Sequence, residues 1–321
     1  MKYLVLLLLA LCPLIAVAEP APGVARLAQV GGPERQIDLT IWYPSDTEAA
    51  EVVGGNAVFR GATAAPAAPL PTGRLPLVIV SHGGLRSATD SGAWLSAALA
   101  RRDMIAVEVN GPRVTGAGDA VDEIWQRPRD IVATMDRVLS DPVWSRHVDT
   151  NRISVVGFAL GGTAALLAGG ARIDPAIFAA SCDGAGGPDC GWLERQGRTL
   201  ADVRRDRLDR MRGDPRVASV VAVAPEYRAA WQDGMGRMSA PAHIVRLGAP
   251  GGPAPDGATL AAIPDAAPAD AFAVCTETGS RILREDGGDP ALCASSPDAR
   301  RAVHARLLDQ VLEGLAARTR Q

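Results

Sequence analysis

The residues Val155-Val156-Gly157-Phe158-Ala159-Leu160-Gly161-Gly162 set out a strand, a tight turn and the start of a helix. An apolar run from Ile153 to Val156 enters the turn, and small residues from Thr163 to Gly170 leave it. This is the context in which Gly-x-Ser-x-Gly lifts a serine onto a strained turn, its oxygen placed to attack a carbonyl. Glycines flank such a turn because a Cβ at either place meets backbone. Here the central residue is Ala159. Its methyl can neither attack a carbonyl nor be activated by a base. The frame for acyl transfer is present and its first chemical step is missing.

A substitute would need both a nucleophile and an oriented base beside it. Ser154 lies inside the strand below the turn, and Ser81 precedes a second turn, Ser81-His82-Gly83-Gly84. Neither occupies a strained position next to a base. Of the four histidines, His82 reads as a structural hydrogen-bonder and His147, near Asp149, as a surface residue. His243 starts a strand at the end opposite the elbow, and His304, beside Val303, reads as a packing or capping residue.

The elements that must position these residues follow from periodicity. Val24 to Val30 and Gln36 to Tyr43 alternate apolar and polar side chains, as antiparallel edge strands do. Residues 48–75, rich in Ala, Gly and Pro, read as an irregular excursion. Leu75 to Ser81, Met104 to Val109, Arg152 to Phe158, Val217 to Ala224 and His243 to Leu247 read as buried strands. Helical patterns cover Ser91 to Arg102, Asp119 to Ser140, Gly161 to Gly170, Leu193 to Met211 and Pro297 to Ala317, whereas Ala254 to Ala273 reads as loop. Strands alternating with helices define an α/β chain: a doubly wound, mostly parallel sheet, with a small helical insertion, residues 174–213, after the elbow helix.

The chain has 321 residues and opens with Lys2, an apolar run from Tyr3 to Val17, and Ala16-Val17-Ala18 before Glu19-Pro20. That pattern predicts a signal peptide over residues 1–18, and an exported protein in the periplasm or medium with no integral membrane anchor after cleavage. Residues 19–321 are expected to form a single domain, for which an apolar content of 47% is ample. A net charge of −3 and the absence of basic runs interleaved with aromatics exclude a nucleic-acid reader. Removing Cys12 leaves four cysteines, an even count that in an oxidising compartment reads as disulfides. Cys182 with Cys190 and Cys275 with Cys293 close short local loops; the alternative, a metal site, lacks a Cys-x-x-Cys and any nearby histidine. Nothing implies a metal or an organic cofactor.

Ile41-Trp42-Tyr43-Pro44, Asn56 to Gly61, Pro76 to Gly84, Arg127-Pro128-Arg129-Asp130-Ile131, the elbow, a following cysteine pair and Ala224-Pro225 together resemble one family. It is the exported dienelactone-hydrolase-like branch of the α/β hydrolases, which includes platelet-activating-factor acetylhydrolase-like esterases. The resemblance implies the α/β-hydrolase fold. It also implies an oxyanion pocket around His82 and Gly83, with backbone N–H groups from Gly84 and Leu160. The family's catalytic histidine falls, counting back from Cys275, on Pro268, which cannot take a proton. Its acid would follow Leu247, where Gly248-Ala249-Pro250-Gly251-Gly252 carries no carboxylate. A single Ser→Ala exchange would explain Ala159 but not Pro268 or the missing acid.

The sequence therefore predicts a pseudo-hydrolase that binds a small acyl or carboxylate ligand above Ala159. An ester or lactone hydrolase with non-standard catalytic residues, and a structural envelope protein with a closed pocket, are the alternatives. No protein partner is legible.

Overall fold

Alternation along the strands sends neighbouring side chains to opposite faces, so a strand that is apolar throughout must be covered on both. The computed structural model describes residues 20–30, 35–85, 88–112, 114, 116–183, 189–249, 251–286 and 288–316. The expected signal segment, residues 1–18, lies outside the described residues. In chain order the strands are β1 (Pro20–Val30), β2 (Ile37–Glu48), β3 (Glu51–Val53), β4 (Ala62–Pro66), β5 (Leu75–Ser81), β6 (Ile105–Asn110), β7 (Val148–Phe158), β8 (Ser219–Val223), β9 (Ala242–Leu247) and β10 (Ala258–Ile263). The helices are α1 (Ala93–Ala100), α2 (Ala117–Val121), α3 (Glu123–Ser140), α4 (Leu160–Ala168), α5 (Pro175–Ala179), α6 (Cys190–Arg195), α7 (Arg205–Asp209), α8 (Arg228–Trp231), α9 (Gly279–Glu285) and α10 (Pro297–Ala316).

The strands form one sheet in the order β10-β9-β8-β7-β5-β6-β2-β1-β4-β3. From β6 to β10 every pairing is parallel, and β2 joins β6 antiparallel. On one face Leu77, Ile79, Val155 and Val220 pack with Ile131, Met135 and Val138 of α3 and with Leu166 of α4. On the other, Val78, Val80, Val156 and Val221 pack with Leu95 and Leu99 of α1 and Val303, Leu307 and Val311 of α10. The sheet is doubly wound and mostly parallel, as expected, and its crossovers bring the ends of β5, β7, β8 and β9 to one rim.

Four expectations need correction. Residues 48–75 hold two short strands, β3 and β4, and β4 also pairs with β1 in parallel. Residues 254–273 contain β10, matched to β9 over six residue pairs, and a 3₁₀ turn at Pro268–Ala271. The alanine-rich sequence of β10 hid it, because an edge strand with a single buried residue shows little alternation. The helical pattern of residues 193–211 is broken: α6 ends at Arg195, Gly197 at φ 65° turns the chain away, and Thr199 caps a separate 3₁₀ turn. The pattern of 119–140 divides at Asp122, whose carboxylate accepts from Trp125 Nε1 at 2.7 Å.

Both expected disulfides are formed, Cys182–Cys190 with Cα atoms 5.5 Å apart and Cys275–Cys293 with 5.8 Å. They fit an oxidising, extracellular or periplasmic setting. Among the described residues no helix is long and apolar enough to cross a membrane, and no group of three or more His, Cys, Asp or Glu could hold a metal ion.

Candidate functional site at the elbow

Ala159 sits at φ 53°, ψ −126°, a conformation that a residue with a Cβ adopts only when its surroundings impose it. The surroundings are backbone. Ala159 N donates to Val223 O at 3.0 Å, and Ala159 O accepts from Gly162 N at 2.9 Å and Thr163 N at 3.2 Å. A Cβ on Gly157 would collide with the carbonyl of Gly161, and one on Gly161 with the carbonyl of Ser81. The glycines of this elbow are thus demanded by packing alone, whatever residue stands at its tip. Ala159 remains partly exposed.

The second turn lies against the first. Gly83, at φ 75°, accepts from Gly161 N at 3.2 Å. Arg127 of α3 pins the turn from behind, donating to the carbonyls of His82 (3.0 Å), Gly83 (2.9 Å) and Gly84 (2.6 Å). Its Nε is in turn held by Glu123 at 3.0 Å, and Glu123 and Asp130 grip Arg35 at 2.7 Å each. The Arg127-Pro128-Arg129-Asp130 segment therefore braces the His82–Gly84 turn. Leu160 is the first residue of α4, so its N–H has no intrahelical acceptor.

Two acidic side chains that sequence reasoning missed face this turn. A Cβ placed on Gly84 would lie 3.3 Å from Asp189 Oδ2 and 3.6 Å from Glu226 Oε1. Asp189 Oδ2 also accepts from Leu85 N at 3.4 Å. Glu226 follows β8, and its peptide is fixed by Thr163 Oγ1 and Trp231 Nε1, each donating to its carbonyl at 2.7 Å. Part of the residue reaches solvent, but Oε2 is shut off from water without a hydrogen-bond partner. Burial, reinforced by the nearby Asp189 and opposed by Arg127, pushes the Glu226 carboxyl up to about 8. At neutral pH it is therefore mainly an O–H donor. A carboxylate directly after a buried strand, at the rim where such sheets bind ligands, was a readable signal for Glu226. Asp189 had none, because its position depends on the left-handed turn before Cys190.

Of the histidines, His147 is half-buried rather than on the surface, its Nδ1 shut off from water. His82 is buried, its Nε2 3.7 Å from Glu108 Oε2. Burial lowers His82 to about 4 and raises Glu108 well above the usual carboxylate range, so the charged form of each is disfavoured here. His304 stacks on Trp94 with ring centroids 3.8 Å apart, and its Nε2 donates to Phe272 O at 2.9 Å. Burial holds it at about 4 as well. His243 bonds Thr259 at 2.7 Å, and His147 precedes β7, both at the far ends of their strands. Ser154 and Ser219 bond each other at 2.8 Å inside the sheet.

Pro268 lines a cavity with Ala224, Pro225 and Leu247, on the same rim as Ala159. The loop after Leu247, where an acid was sought, is held by its carbonyls: Arg228 donates to Gly251 O at 2.7 Å and Arg246 to Gly252 O at 2.7 Å. Arg300, buried in α10, secures the neighbouring segment through Ala273 O at 2.9 Å and Cys275 Sγ at 3.3 Å. Residues 58–60 pair with 274–276, Arg60 N donating to Val274 O at 2.7 Å and Thr276 N to Val58 O at 2.8 Å. This docks the Asn56–Gly61 excursion on the disulfide loop.

No protein-family model and no curated protein sequence matches the chain. Among solved structures it is similar to a ferulic acid esterase from Streptomyces cinnamoneus, with a TM-score of 0.53 over 92% of this chain and 90% of that one, at 16% identity. A dienelactone hydrolase from Anabaena variabilis matches over 92% of this chain and 99% of its own, at 12% identity and a TM-score of 0.45. The protein has the α/β-hydrolase fold. Within that fold, the tip of the strained turn between β7 and α4 is Ala159.

Proposed function

We propose that this is an exported pseudo-hydrolase, which binds a small acyl-type ligand over Ala159 and does not turn it over by a serine triad. The observation that carries the reading is Ala159 itself, partly exposed at the tip of an intact strained elbow. Of the nearby imidazoles among the described residues, His82 is buried against Glu108 and His304 is committed to Trp94 and Phe272, and the position matched to the family histidine is Pro268. The turn before α6 delivers Asp189 to the His82–Gly84 turn, where it accepts from Leu85 N. The ligand is narrowed by charge. With Glu226 and Asp189 beside Gly84, a neutral carbonyl is favoured over a carboxylate, Leu160 N–H and the Glu226 O–H being its donors. The partial exposure of Ala159 speaks against a closed-pocket structural role. In a thermal-shift screen of small esters, lactones and amides, neutral carbonyl compounds should raise the melting temperature of the purified protein without being consumed. Glu226→Ala should abolish the shift. A screen in which only carboxylates bind, or none does, would contradict this reading.

The acid pair supports one second reading. A buried carboxyl with a raised pKa beside another acid is a common signature of acid–base chemistry. Glu226 and Asp189 could activate water against a lactone or ester. That reading requires measurable turnover that is lost in Glu226→Gln.

A further inference from the structure

At the other end of α4, about 14 Å from the elbow by helix rise, three arginines from three separate segments line one cavity. Arg172 follows α4, Arg212 precedes β8 and Arg237 precedes β9; Gly170, Gly213, Pro215 and Ser239 complete the wall. The approach is close. A Cβ on Gly213 would collide with Gly170, which at φ 109° is itself a position for glycine, and Arg172 N is tied to Gly234 O at 3.2 Å.

Neighbouring arginines are matched with acids: Arg210 with Asp206, Arg216 with Asp136 and Asp214, Arg204 with Asp122. Among the described residues Arg172, Arg212 and Arg237 form no such pair. Arg172 donates only to Met211 O, and Arg212 to the carbonyls of Asp209 and Met211 at 2.9 and 2.7 Å. The terminal carbonyls of α4 accept backbone N–H groups rather than these guanidiniums: Leu166 O from Ala171 N, Leu167 O from Gly170 N and Ala168 O from Asp214 N. Desolvation, and then the charges of Arg212 and Arg237, lower the pKa of Arg172. Like charges gathered without counter-charge destabilise a fold unless an anion completes them.

We propose that Arg172, Arg212 and Arg237 form a binding site for a phosphate-class oxyanion, independent of the elbow. Planar guanidinium forks match the several oxygens of such a group, and Ser239 adds a hydroxyl on the cavity wall. The cavity is about 380 Å³, room for a phosphate carrying a substituent. Free phosphate esters and anionic lipid headgroups share this chemistry.

The test is calorimetric titration of the disulfide-intact protein with inorganic phosphate at low ionic strength, with sodium chloride matched for ionic strength as control. A parallel arm measures co-flotation with phosphatidylglycerol and with phosphatidylcholine vesicles. Saturable phosphate binding is expected, weakened at least about tenfold in Arg237→Ala and undetectable in Arg212→Ala/Arg237→Ala, with Arg237→Lys intermediate. Arg237 and Arg212 are exposed, so these variants should keep the native circular dichroism. Flotation with phosphatidylglycerol alone would assign the headgroup as the source; phosphate binding without flotation would assign a soluble ester. Phosphate heats equal to the chloride control without vesicle binding, or binding unchanged in the double variant, would overturn the site.

Discussion

Glu226 is the residue whose chemistry most needs explaining, since an ionised carboxylate shut off from water should carry a partner and its Oε2 has none. Its folded pKa is raised from 4.5 to about 8, so between those values the native state holds a proton that the unfolded chain releases. The stability it contributes is greatest below pH 4.5 and falls as pH rises to about 8. Glu226→Gln is neutral throughout. The variant should match the parent at pH 4 and exceed it at pH 9 by on the order of 2–4 kcal/mol, read by denaturant unfolding at each pH. A difference that does not change with pH would show that Glu226 is not protonated in the native state. The elbow offers a second expectation at this scale. Ala159→Ser places a hydroxyl without a base and should yield trace esterase activity, whereas Ala159→Ser with Pro268→His should do better, because triad members act as a unit. Ordinary rates from the single change would mean that another histidine reaches the tip.

Elements hold these residues through a few buried polar contacts. Arg127 closes three carbonyls of the His82–Gly84 turn, and Arg300 anchors the Pro268–Cys275 segment to α10, with Asp270 Oδ1 3.6 Å from its Nε. Removing Arg300 strands Asp270 in the interior. Arg300→Ala should lower stability by about 3–5 kcal/mol, and a paired Asp270→Ala should recover part of that loss. An Arg300→Ala protein with unchanged melting temperature would show that the segment is held by the disulfide alone. Cys275→Ser/Cys293→Ser should itself lower stability by about 3 kcal/mol through loop entropy, measured by the same unfolding experiment. Gly161→Ala should be among the most damaging single changes, at least about 3 kcal/mol, since its Cβ meets the Ser81 carbonyl rather than a side chain that can move.

For the whole molecule, the parallel core was legible because β5 to β9 are continuous apolar runs separated by amphipathic helices, a pattern with few alternative folds. Both disulfide pairings were legible from loop length. The edges were not: β4 and β10 are alanine-rich and half-exposed, and only their neighbours' open hydrogen bonds define them. The same contrast holds at the site. Ala159 announced itself through its flanking glycines, which backbone packing requires whatever residue stands between them. Asp189 and Arg127 act through positions set by a disulfide turn and a helix from distant sequence, and no local pattern encodes such convergence. The central claim, an intact elbow without triad catalysis, is tested most directly by treating the purified protein with a serine-directed fluorophosphonate and weighing it intact. The expected result is the unmodified mass of the disulfide-bonded chain, since a missing nucleophile lowers triad turnover by roughly 10⁶. A stoichiometric mass increase mapping to any serine would contradict the account.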